Sequence, residues 1–472
     1  MKLTHKKNFI TSMMILVVVS LLLASTPKII TYHTQKDFEK GTPKGVSINS
    51  RGEIRLAPAI VEIFKPDLPF IWSGVGDKRG NVFVSGGNTG QVFKLDAKNN
   101  SSVIFDIEDL EIYAMAVNQQ NDLYIGTSPQ GKVYKIARSG NANLDEALFF
   151  DPEEVYIWSM AVDDQNNLYV ATGEKGNIYK IDSRGNSSLF YASEDTHIRK
   201  IILDRHQNII AGTSDHGKVI RIDSNGKAFV LYDSPLVEIT DLLSDRSGNI
   251  FAGAVGESRI QKVPQVTQPS QAGAIKQTAE ATPVENKIMD LPVQNISVGR
   301  TPRFGKKNSE LYRIEPDGTV KTYWSSTKDQ IYAMILDNSD HIVLGTGEPG
   351  RLYSITAVDE HTLLTELDEL QITSLGKDAN GKIIVCTSNT GKVYRLTTDF
   401  NSKGEYLSEV IDASVSSHWG AINWEAHLNE KTEIVFSTRT GNTEEPDKTW
   451  SPWSENYTHF TGQPITSPPA RF

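Results

Sequence analysis

A motif of about 41 residues recurs along most of this chain. One copy runs from Ile112 to Ile136 and the next from Ile157 to Ile181, and each contains three short apolar runs separated by polar turns. A glycine opens the third run of each copy except one, where a serine replaces it: Gly90, Gly131, Gly176, Gly217, Ser258, Gly350 and Gly391. A fixed period of this length indicates a repeat architecture whose units pack on their neighbours. Seven markers predict seven units.

Each unit has the composition of four short β-strands. The runs are rich in Val, Ile, Tyr and Phe, and clusters of Gly, Asn, Asp and Ser separate them, as in strands joined by tight turns. A fourth run follows the third, for example from Ala228 to Tyr232. Four strands at a period of about 40 residues are typical of a propeller blade. We therefore predict an all-β chain with a seven-bladed β-propeller over residues 45–397.

An acidic series marks the end of the inner strand in each unit. It comprises Asp77, Asp163, Asp204, Asp245, Asp337 and Asp378, with Asn118 as the variant. An Asp or Asn side chain at this position can bond to the backbone of its own turn, so we interpret the series as turn chemistry and not as a metal site.

The hairpin-like run over residues 45–61 precedes the first unit. We expect it to supply an outer strand to the last blade, because joining the two ends in this way leaves no open edge in the ring.

The segment over residues 263–309 differs from the repeat. It is rich in Pro, Gln and Ala and lacks periodicity, which is typical of a loop or linker. The blade pattern resumes at Glu310, so we expect the insertion to project from one blade without dividing the ring.

The N-terminus has the pattern of an export signal. Lys2, Lys6 and Lys7 precede an apolar stretch from Phe9 to Ala24, which predicts a signal peptide or signal anchor over residues 1–26. The exit after Ala24 is a poor cleavage site, so cleavage stays open. With a single cysteine in the whole chain, this pattern predicts a bacterial protein of the periplasm, the cell surface or the extracellular space.

Charge and cysteine content exclude several classes of function. The 58 acidic and 48 basic residues give a formal net charge of -10, which opposes binding to nucleic acid or to an anionic membrane surface. The one cysteine, Cys386, lies in an apolar run and is expected to be a small buried side chain. One thiol can form neither an intramolecular disulfide nor a paired-cysteine zinc site.

The last residues, 398–472, have a different composition. They contain four of the seven tryptophans, Trp419, Trp424, Trp450 and Trp453, and strand candidates over 421–426 and 433–439. We predict a partial β-sandwich of jelly-roll or fibronectin-like type, with the tryptophans in its core. About seventy residues are too few for a complete sandwich, so the module is either truncated or packs on the propeller.

Two patterns carry a resemblance to known families. The recurring Asp-x-x-Gly-Asn and Gly-Thr-x-x-x-Gly-Lys-Val-Tyr-Lys-Ile patterns resemble those of bacterial exported propellers of the broad NHL, YVTN and WD-repeat type, over about 350 residues. The Gly-His and Trp-Asp dipeptides of true WD repeats are missing. The run from Trp450 to Ser454 resembles the Trp-Ser-x-Trp-Ser motif of cytokine-receptor fibronectin domains, which implies that Arg439 lies between the two rings as a cation–π partner.

One variable position recurs in every inner strand, directly after its first isoleucine. The residues there are Trp72, Tyr113, Trp158, Arg199, Thr240, Tyr332 and Thr373, and we expect His197, Glu238 and Asp241 nearby. If this position rims the channel, it forms an aromatic mouth suited to a sugar, a peptide or a cationic ligand. The alternative is packing between adjacent blades. The predicted ligand-binding residues are Trp72, Tyr113, Trp158, Arg199, Asp241 and Tyr332, and no catalytic residue, metal ligand or cofactor is predicted.

These observations favour a non-enzymatic binding or scaffold protein of the bacterial cell envelope. The partner would be a protein, peptide or carbohydrate at the propeller mouth, with no nucleic acid, and with membrane contact only through an uncleaved N-terminal segment. A calcium-dependent propeller hydrolase or lactonase is the alternative, since channel carboxylates can hold a cation. A sensor ectodomain is a further alternative.

Overall fold

The computed structural model describes residues 28–107, 111–137, 144–258 and 308–472. The predicted signal segment (1–26) and nearly all of the predicted insertion (263–309) lie outside these residues. The chain divides into two compact units. One comprises residues 43–50 and 54–406, and the other comprises the described residues up to Thr42, residues 51–53 and residues 407–472.

The larger unit is a seven-bladed β-propeller, as the repeat predicts. Its blades are antiparallel sheets whose strands follow the chain order from the channel outward. The strands of the first four blades are as follows: blade 1, β5 (Ile71–Gly76), β6 (Val82–Gly86), β7 (Gln91–Leu95) and β8 (Ser101–Asp106); blade 2, β9 (Glu111–Val117), β10 (Leu123–Ser128), β11 (Val133–Ile136) and β12 (Leu148–Phe150), with the short helix α2 (Leu144–Ala147) before β12; blade 3, β13 (Tyr156–Val162), β14 (Leu168–Gly173), β15 (Asn177–Ile181) and β16 (Ser187–Ala192); blade 4, β17 (Ile198–Leu203), β18 (Ile209–Thr213), β19 (Lys218–Ile222) and β20 (Ala228–Asp233).

Two of the last three blades, blades 6 and 7, include strands from the N-terminal part of the chain. Blade 5 contains β21 (Leu236–Ser244), β22 (Ile250–Ser258), β23 (Asn308–Ile314) and β24 (Val320–Ser326); blade 6, β25 (Gln330–Leu336), β26 (Ile342–Gly347), β27 (Arg351–Ala357) and β28 (Glu360–Glu366); blade 7, β29 (Gln371–Lys377), β30 (Ile383–Ser388), β31 (Val393–Phe400) and β4 (Pro58–Phe64). The early strand β4 pairs with β31, so the N-terminal run closes the ring as expected. Two more early strands, β2 (Val46–Asn49) and β3 (Ile54–Leu56), extend blade 6 beyond β28.

Burial follows the position of each strand within its blade. All residues of β6, β10, β14, β18, β26 and β30 are buried, because these second strands lie between the faces of neighbouring blades. The outer strands are far more exposed, and Phe229 in β20 is 63% exposed. The core is therefore a series of apolar interfaces between blades, such as the cluster that joins Ala114 and Tyr124 of blade 2 to Ile157 and Val170 of blade 3.

Small residues at one position of the second strand allow the next blade to approach. A Cβ added to Gly126 would lie 2.5 Å from the Cγ2 of Ile157 in the next blade, and one added to Gly345 would lie 2.5 Å from that of Ile372. Cys386 occupies the same position in blade 7 and is fully buried, which confirms its predicted role as a small apolar residue. Burial raises the pKa of its thiol to about 12.

The acidic series forms turn hydrogen bonds, as predicted. The Asp77 carboxylate accepts from the backbone N–H groups of Arg79 at 2.9 Å and Asn81 at 2.8 Å. The same arrangement recurs at Asn118, Asp163, Asp204, Asp337 and Asp378, and Asp245 accepts the second of these bonds. These turns lie at the face of the propeller opposite to the start of the inner strands.

The smaller unit has little regular secondary structure. Its helix α1 (Gln35–Phe38) starts with a capping box between Thr34 and Asp37. Near the boundary between the units are β1 (Thr42–Lys44) and β32 (Glu405–Leu407). Further along, β33 (Ala421–Ile422) pairs with β34 (Gln463–Pro464), and isolated bridges join Phe436 to Tyr457 and Ser417 to Ala470. The segment is a partial β-sandwich in which the predicted strands over 421–426 and 433–439 are reduced to short pairings.

The Trp-Ser-x-Trp-Ser run has the geometry that the resemblance implies. The guanidinium carbon of Arg439 lies 5.5 Å from the ring centroid of Trp450 and 4.7 Å from that of Trp453. Ser451 and Ser454 each accept a backbone N–H at 3.0 Å, from Thr440 and Thr438 respectively. The expectation that the tail tryptophans form a core is wrong: Trp453 is 50% exposed, and the other three are half-buried, because the short strand pairings do not cover them.

No helix in the described ranges is long and apolar enough to cross a membrane.

Candidate functional site

The seven variable inner-strand residues lie at one end of the channel. Each directly follows the first isoleucine of its inner strand. Neighbouring inner strands contact each other around the whole ring. Because the blades repeat the same strand geometry, equivalent positions of the inner strands lie at the same level along the channel axis. Successive side chains of each strand point in alternate directions. The face concerned carries the loops between blades and those between the second and third strands.

Three of these residues form a continuous aromatic ladder across blades 1, 2 and 3. The ring centroids of Trp72 and Tyr113 are 5.5 Å apart at an interplanar angle of 48°, and those of Tyr113 and Trp158 are 4.9 Å apart at 41°. Distances of this size are typical of favourable aromatic pairs. All three side chains are half-buried, so the ladder packs neighbouring blades together while part of each side chain stays exposed to solvent.

Arg199 in blade 4 ends the ladder. Its guanidinium carbon lies 3.8 Å from the ring centroid of Trp158, and its Nε donates to the Glu238 carboxylate at 2.7 Å. The Trp158 indole N–H donates to His197 Nδ1 at 3.1 Å. The structure therefore brings His197 and Glu238 to this cluster, as predicted.

The other half of the mouth, in blades 5 to 7, has smaller residues around a single tyrosine. Thr240 donates to the Gly253 carbonyl oxygen at 3.3 Å, and Thr373 donates to the Ile71 and Cys386 carbonyl oxygens, so both threonines are used in the backbone scaffold. Tyr332 stands between them and accepts a weak bond of 3.4 Å from the Gln371 amide. One side of the mouth thus carries three rings and a guanidinium, and the other carries two threonines and one ring.

A second series, one pleat nearer to the face, lies two residues before each ladder position. We call it the rim, and it comprises Phe70, Glu111, Tyr156, His197, Glu238, Gln330 and Gln371. Phe70 stacks on Trp72 at 5.2 Å, and Tyr156 stacks on Trp158 at 4.8 Å. Sequence reasoning did not identify this series as a whole, although the spacing of two residues along a strand is the signal that could have revealed it.

Rim residues contact the inner-strand residue of the preceding blade. His197 of blade 4 contacts Trp158 of blade 3, and the same relation holds for Glu238 with Arg199 and for Gln371 with Tyr332. Backbone pairing positions the rim, because His197 bridges to Gly173 and Gln371 pairs with Gly347. The mouth is therefore built from interlocking residues of adjacent blades.

Glycines provide the space in which the large rings lie. A Cβ on Gly173 would lie 2.3 Å from Trp158 Nε1 and 2.5 Å from His197 Nδ1, and one on Gly347 would lie 2.3 Å from Tyr332 Cε2. Gly87 stands in the same relation to Trp72. The Trp72 indole nitrogen is buried there and has no hydrogen-bond partner among the described residues.

Asp241 does not join the other predicted ligand-binding residues. It is buried and accepts from the backbone N–H of Met334 in the next inner strand at 2.6 Å, while Lys200 lies 2.8 Å from its other oxygen. In the same way, Ser159 of blade 3 accepts from the backbone N–H of Ile201 in blade 4, and Ser374 of blade 7 accepts from that of Gly74 in blade 1. Asp241 is one member of a series of side chains that join neighbouring inner strands.

A carboxylate clamp beside the mouth was also missed by sequence reasoning. In blade 6, Asp329 contacts Arg351 at 3.2 Å and accepts from the Tyr353 hydroxyl at 3.1 Å. In blade 7, Glu369 binds Lys392 at 2.7 Å and Tyr394 at 3.0 Å. Each clamp ties the loop before the inner strand to the third strand of the same blade. These carboxylates are already paired and have a structural role.

Two ionisable groups of the mouth have raised pKa values. Burial raises the pKa of Glu111, with no opposing contribution from a cation among the described residues. The pKa of Tyr332 is raised by burial and then by the charges of Glu348 and Glu238. Within residues 28–107, 111–137, 144–258 and 308–472, no group of three or more His, Cys, Asp or Glu side chains is placed to hold a metal ion.

Comparisons with known proteins agree with this fold. No protein-family model and no curated protein sequence matches the chain. Among solved structures, a streptogramin B lyase is 12% identical with a TM-score of 0.53, over 73% of this chain and 98% of that one. The WD40 β-propeller domain of Doa1 is 12% identical with a TM-score of 0.51, over 72% and 98%.

A third similar structure is the extracellular domain of a hybrid two-component system from B. thetaiotaomicron. It is 13% identical with a TM-score of 0.50, over 78% of this chain and 43% of that one. Likeness at these identities shows the fold alone, and the same fold serves a lyase, a WD40 domain and an ectodomain. The chain resembles β-propeller proteins in its fold, and the residues at the propeller mouth are what distinguish it from them.

Proposed function

We propose that the protein is a non-enzymatic binding protein of the bacterial cell envelope that docks a protein or peptide at the mouth defined by the ladder and the rim. The N-terminal pattern of basic residues followed by an apolar stretch supports export. The observation that carries the proposal is the continuous run from Trp72 through Tyr113 and Trp158 to Arg199, which spans four blades.

Rigid aromatic and arginine side chains are the residues that dominate binding energy at protein interfaces. Stacking with Phe70 and Tyr156 fixes the orientation of the two indoles before any partner arrives. A preorganised surface of this kind loses little conformational entropy on binding. The carboxylates of the two clamps and of the turn series are structural groups, because each is already hydrogen-bonded or ion-paired within the propeller.

The test is a binding screen with the full chain against a peptide library, followed by calorimetry on the peptides that bind. Trp72→Ala should weaken their affinity by about tenfold or more, because it removes the indole at the start of the ladder. Trp72→Phe should restore part of the affinity. Trp453→Ala, which removes an exposed tryptophan of the tail, is the matched control and should leave the affinity unchanged.

Two results would overturn the proposal. One is that peptides bind equally well to the protein and to Trp72→Ala, while circular dichroism shows both to be folded. The other is calcium-dependent turnover of a lactone or ester by the wild-type chain that chelation abolishes.

A further inference from the structure

One segment of the smaller unit is paired along one edge only. It covers residues 433–439, a strand candidate of the sequence, and we call it the half-paired strand. Phe436 exchanges two backbone hydrogen bonds with Tyr457, at 3.1 and 2.7 Å. The Thr438 carbonyl oxygen accepts from the Ser454 N–H at 2.8 Å. Because the backbone groups of alternate residues in a strand point to opposite edges, the even-numbered residues face this neighbouring segment and the odd-numbered ones face away from it.

The other edge of the half-paired strand is open. Among the residues that the structure describes, the backbone N–H and C=O groups of Val435, Ser437 and Arg439 have no hydrogen-bond partner. Val435 is 46% exposed and Ile434 is 37% exposed, so solvent reaches this part of the strand. Proteins commonly protect such an edge with lysine or proline, and residues 433–439 contain neither. The edge is therefore a template for a strand from another chain.

The sequence of the half-paired strand is complementary to itself in the antiparallel direction. Pairing two copies about Phe436 places Glu433 of each copy opposite Arg439 of the other. Val435 then lies opposite Ser437, so the residues with free backbone groups form the hydrogen-bonded pairs. Opposite charges directly across two strands stabilise their pairing, and like charges oppose it. A parallel pairing in register would place each charge opposite its own kind, so the antiparallel arrangement is favoured.

An apolar contact accompanies this register. The Phe436 ring is half-buried and packs on Trp424, with ring centroids 4.5 Å apart. In the paired arrangement the two Phe436 residues form the central non-hydrogen-bonded pair, where the side chains of antiparallel strands approach most closely. Ile434 lies on the same face by strand alternation. Pairing therefore joins the aromatic contacts of the two copies into one apolar cluster.

We propose that the half-paired strand is an interface at which two copies of this chain pair antiparallel about Phe436. Pairing gives hydrogen-bond partners to the open backbone groups of Val435, Ser437 and Arg439 and covers the exposed edge. The contact is short, so the complex is a weak dimer whose population rises with protein concentration. This interface belongs to the smaller unit and does not rest on the proposed function of the propeller mouth.

Charge reversal tests the complementarity. Sedimentation velocity of the full chain over a series of concentrations gives the dissociation constant of the dimer. Glu433→Lys should raise that constant by about fivefold or more, because it replaces both attractive pairs with like-charge pairs. The matched control is Glu430→Lys, which makes the same charge change at an exposed residue before the half-paired strand and should leave the constant unchanged.

Cysteine cross-linking tests the register. The one native cysteine, Cys386, is fully buried and does not compete for oxidation. A mixture of the Val435→Cys and Ser437→Cys proteins should form a disulfide-linked dimer at least about fivefold faster than either variant alone, because only the mixture places two thiols directly opposite each other. Both substitutions replace exposed side chains, and circular dichroism checks that the fold is unchanged.

Three results would overturn the proposal. The first is a wild-type chain that stays monomeric at every concentration. The second is equal weakening of the dimer by Glu433→Lys and Glu430→Lys, which would show that net charge and not the pairing is responsible. The third is cross-linking of Val435→Cys or Ser437→Cys with itself as fast as in the mixture, which would exclude pairing about Phe436.

Discussion

The two halves of the propeller mouth use the same backbone position in opposite ways. In blades 1 to 4 that position carries Trp72, Tyr113, Trp158 and Arg199, whose rings and guanidinium contact one another from blade to blade. In blades 5 to 7 it carries Thr240, Tyr332 and Thr373, and the threonines bond to backbone carbonyls. A repeat thus fixes where a side chain stands, while the residue type decides whether neighbours lock together or leave a ring accessible.

Replacing the ring at the centre of each half should give the largest effect. Trp158→Ala should lower the free energy of unfolding by about 3 kcal/mol, because the indole contacts Tyr113, Tyr156, His197 and Arg199. Tyr332→Ala should cost about 1 kcal/mol, since threonines flank it. Urea unfolding of both variants measures the difference. Equal losses would mean that the two halves pack alike and that the contrast is only one of composition.

The glycines beneath the rings offer a smaller perturbation of the same contrast. Gly173→Ala should destabilise the protein by about 2 kcal/mol, because the new methyl group meets both Trp158 and His197, which hold each other in place. Gly347→Ala should cost about 1 kcal/mol or less, because Tyr332 is held by a single long hydrogen bond from Gln371 and can shift more readily than Trp158. Thermal unfolding monitored by circular dichroism gives both values. A larger loss for Gly347→Ala would show that Tyr332 is held as firmly as the ladder.

Sequence periodicity was sufficient to predict the blades, because turn residues and apolar alternation are local signals. It also identified the inner-strand position of the ladder and the neighbours His197 and Glu238. Asp241 shows where such reasoning fails: a carboxylate beside a variable position looks like a site residue, and only the neighbouring blade reveals that it bonds to Met334. The clamps, such as Asp329 with Arg351, were missed for the same reason, since their partners lie more than twenty residues away and meet only after the blade forms.

The tail illustrates the opposite limit. The resemblance to the Trp-Ser-x-Trp-Ser motif correctly implied the position of Arg439 between the rings of Trp450 and Trp453. Backbone hydrogen bonds from Ser451 to Thr440 and from Ser454 to Thr438 hold the two segments side by side. The sequence did not predict the burial of the four tryptophans correctly, because burial depends on whether a second sheet covers them. Local pattern therefore predicts contacts between adjacent segments better than it predicts burial.

The smallest effect should come from two rim carboxylates that differ in whether a cation accompanies them. Glu238→Gln should destabilise the protein by about 0.5–1 kcal/mol, because it breaks a partly buried pair with Arg199. Glu111→Gln should instead raise the melting temperature slightly at about pH 7, since burial raises the pKa of Glu111 and the folded state therefore disfavours its charged form.

The sign of the Glu111 effect has a definite pH dependence. An acid whose pKa is raised on folding binds protons more tightly in the folded state, so its unfavourable contribution grows as the pH rises through and above the ordinary glutamate range. The advantage of Glu111→Gln should therefore vanish at about pH 4, where the carboxyl is largely protonated in both states. Melting temperatures of wild type and both variants at about pH 4 and pH 7 test this. Destabilisation by Glu111→Gln at neutral pH would show that this carboxylate already has a favourable partner in the folded protein.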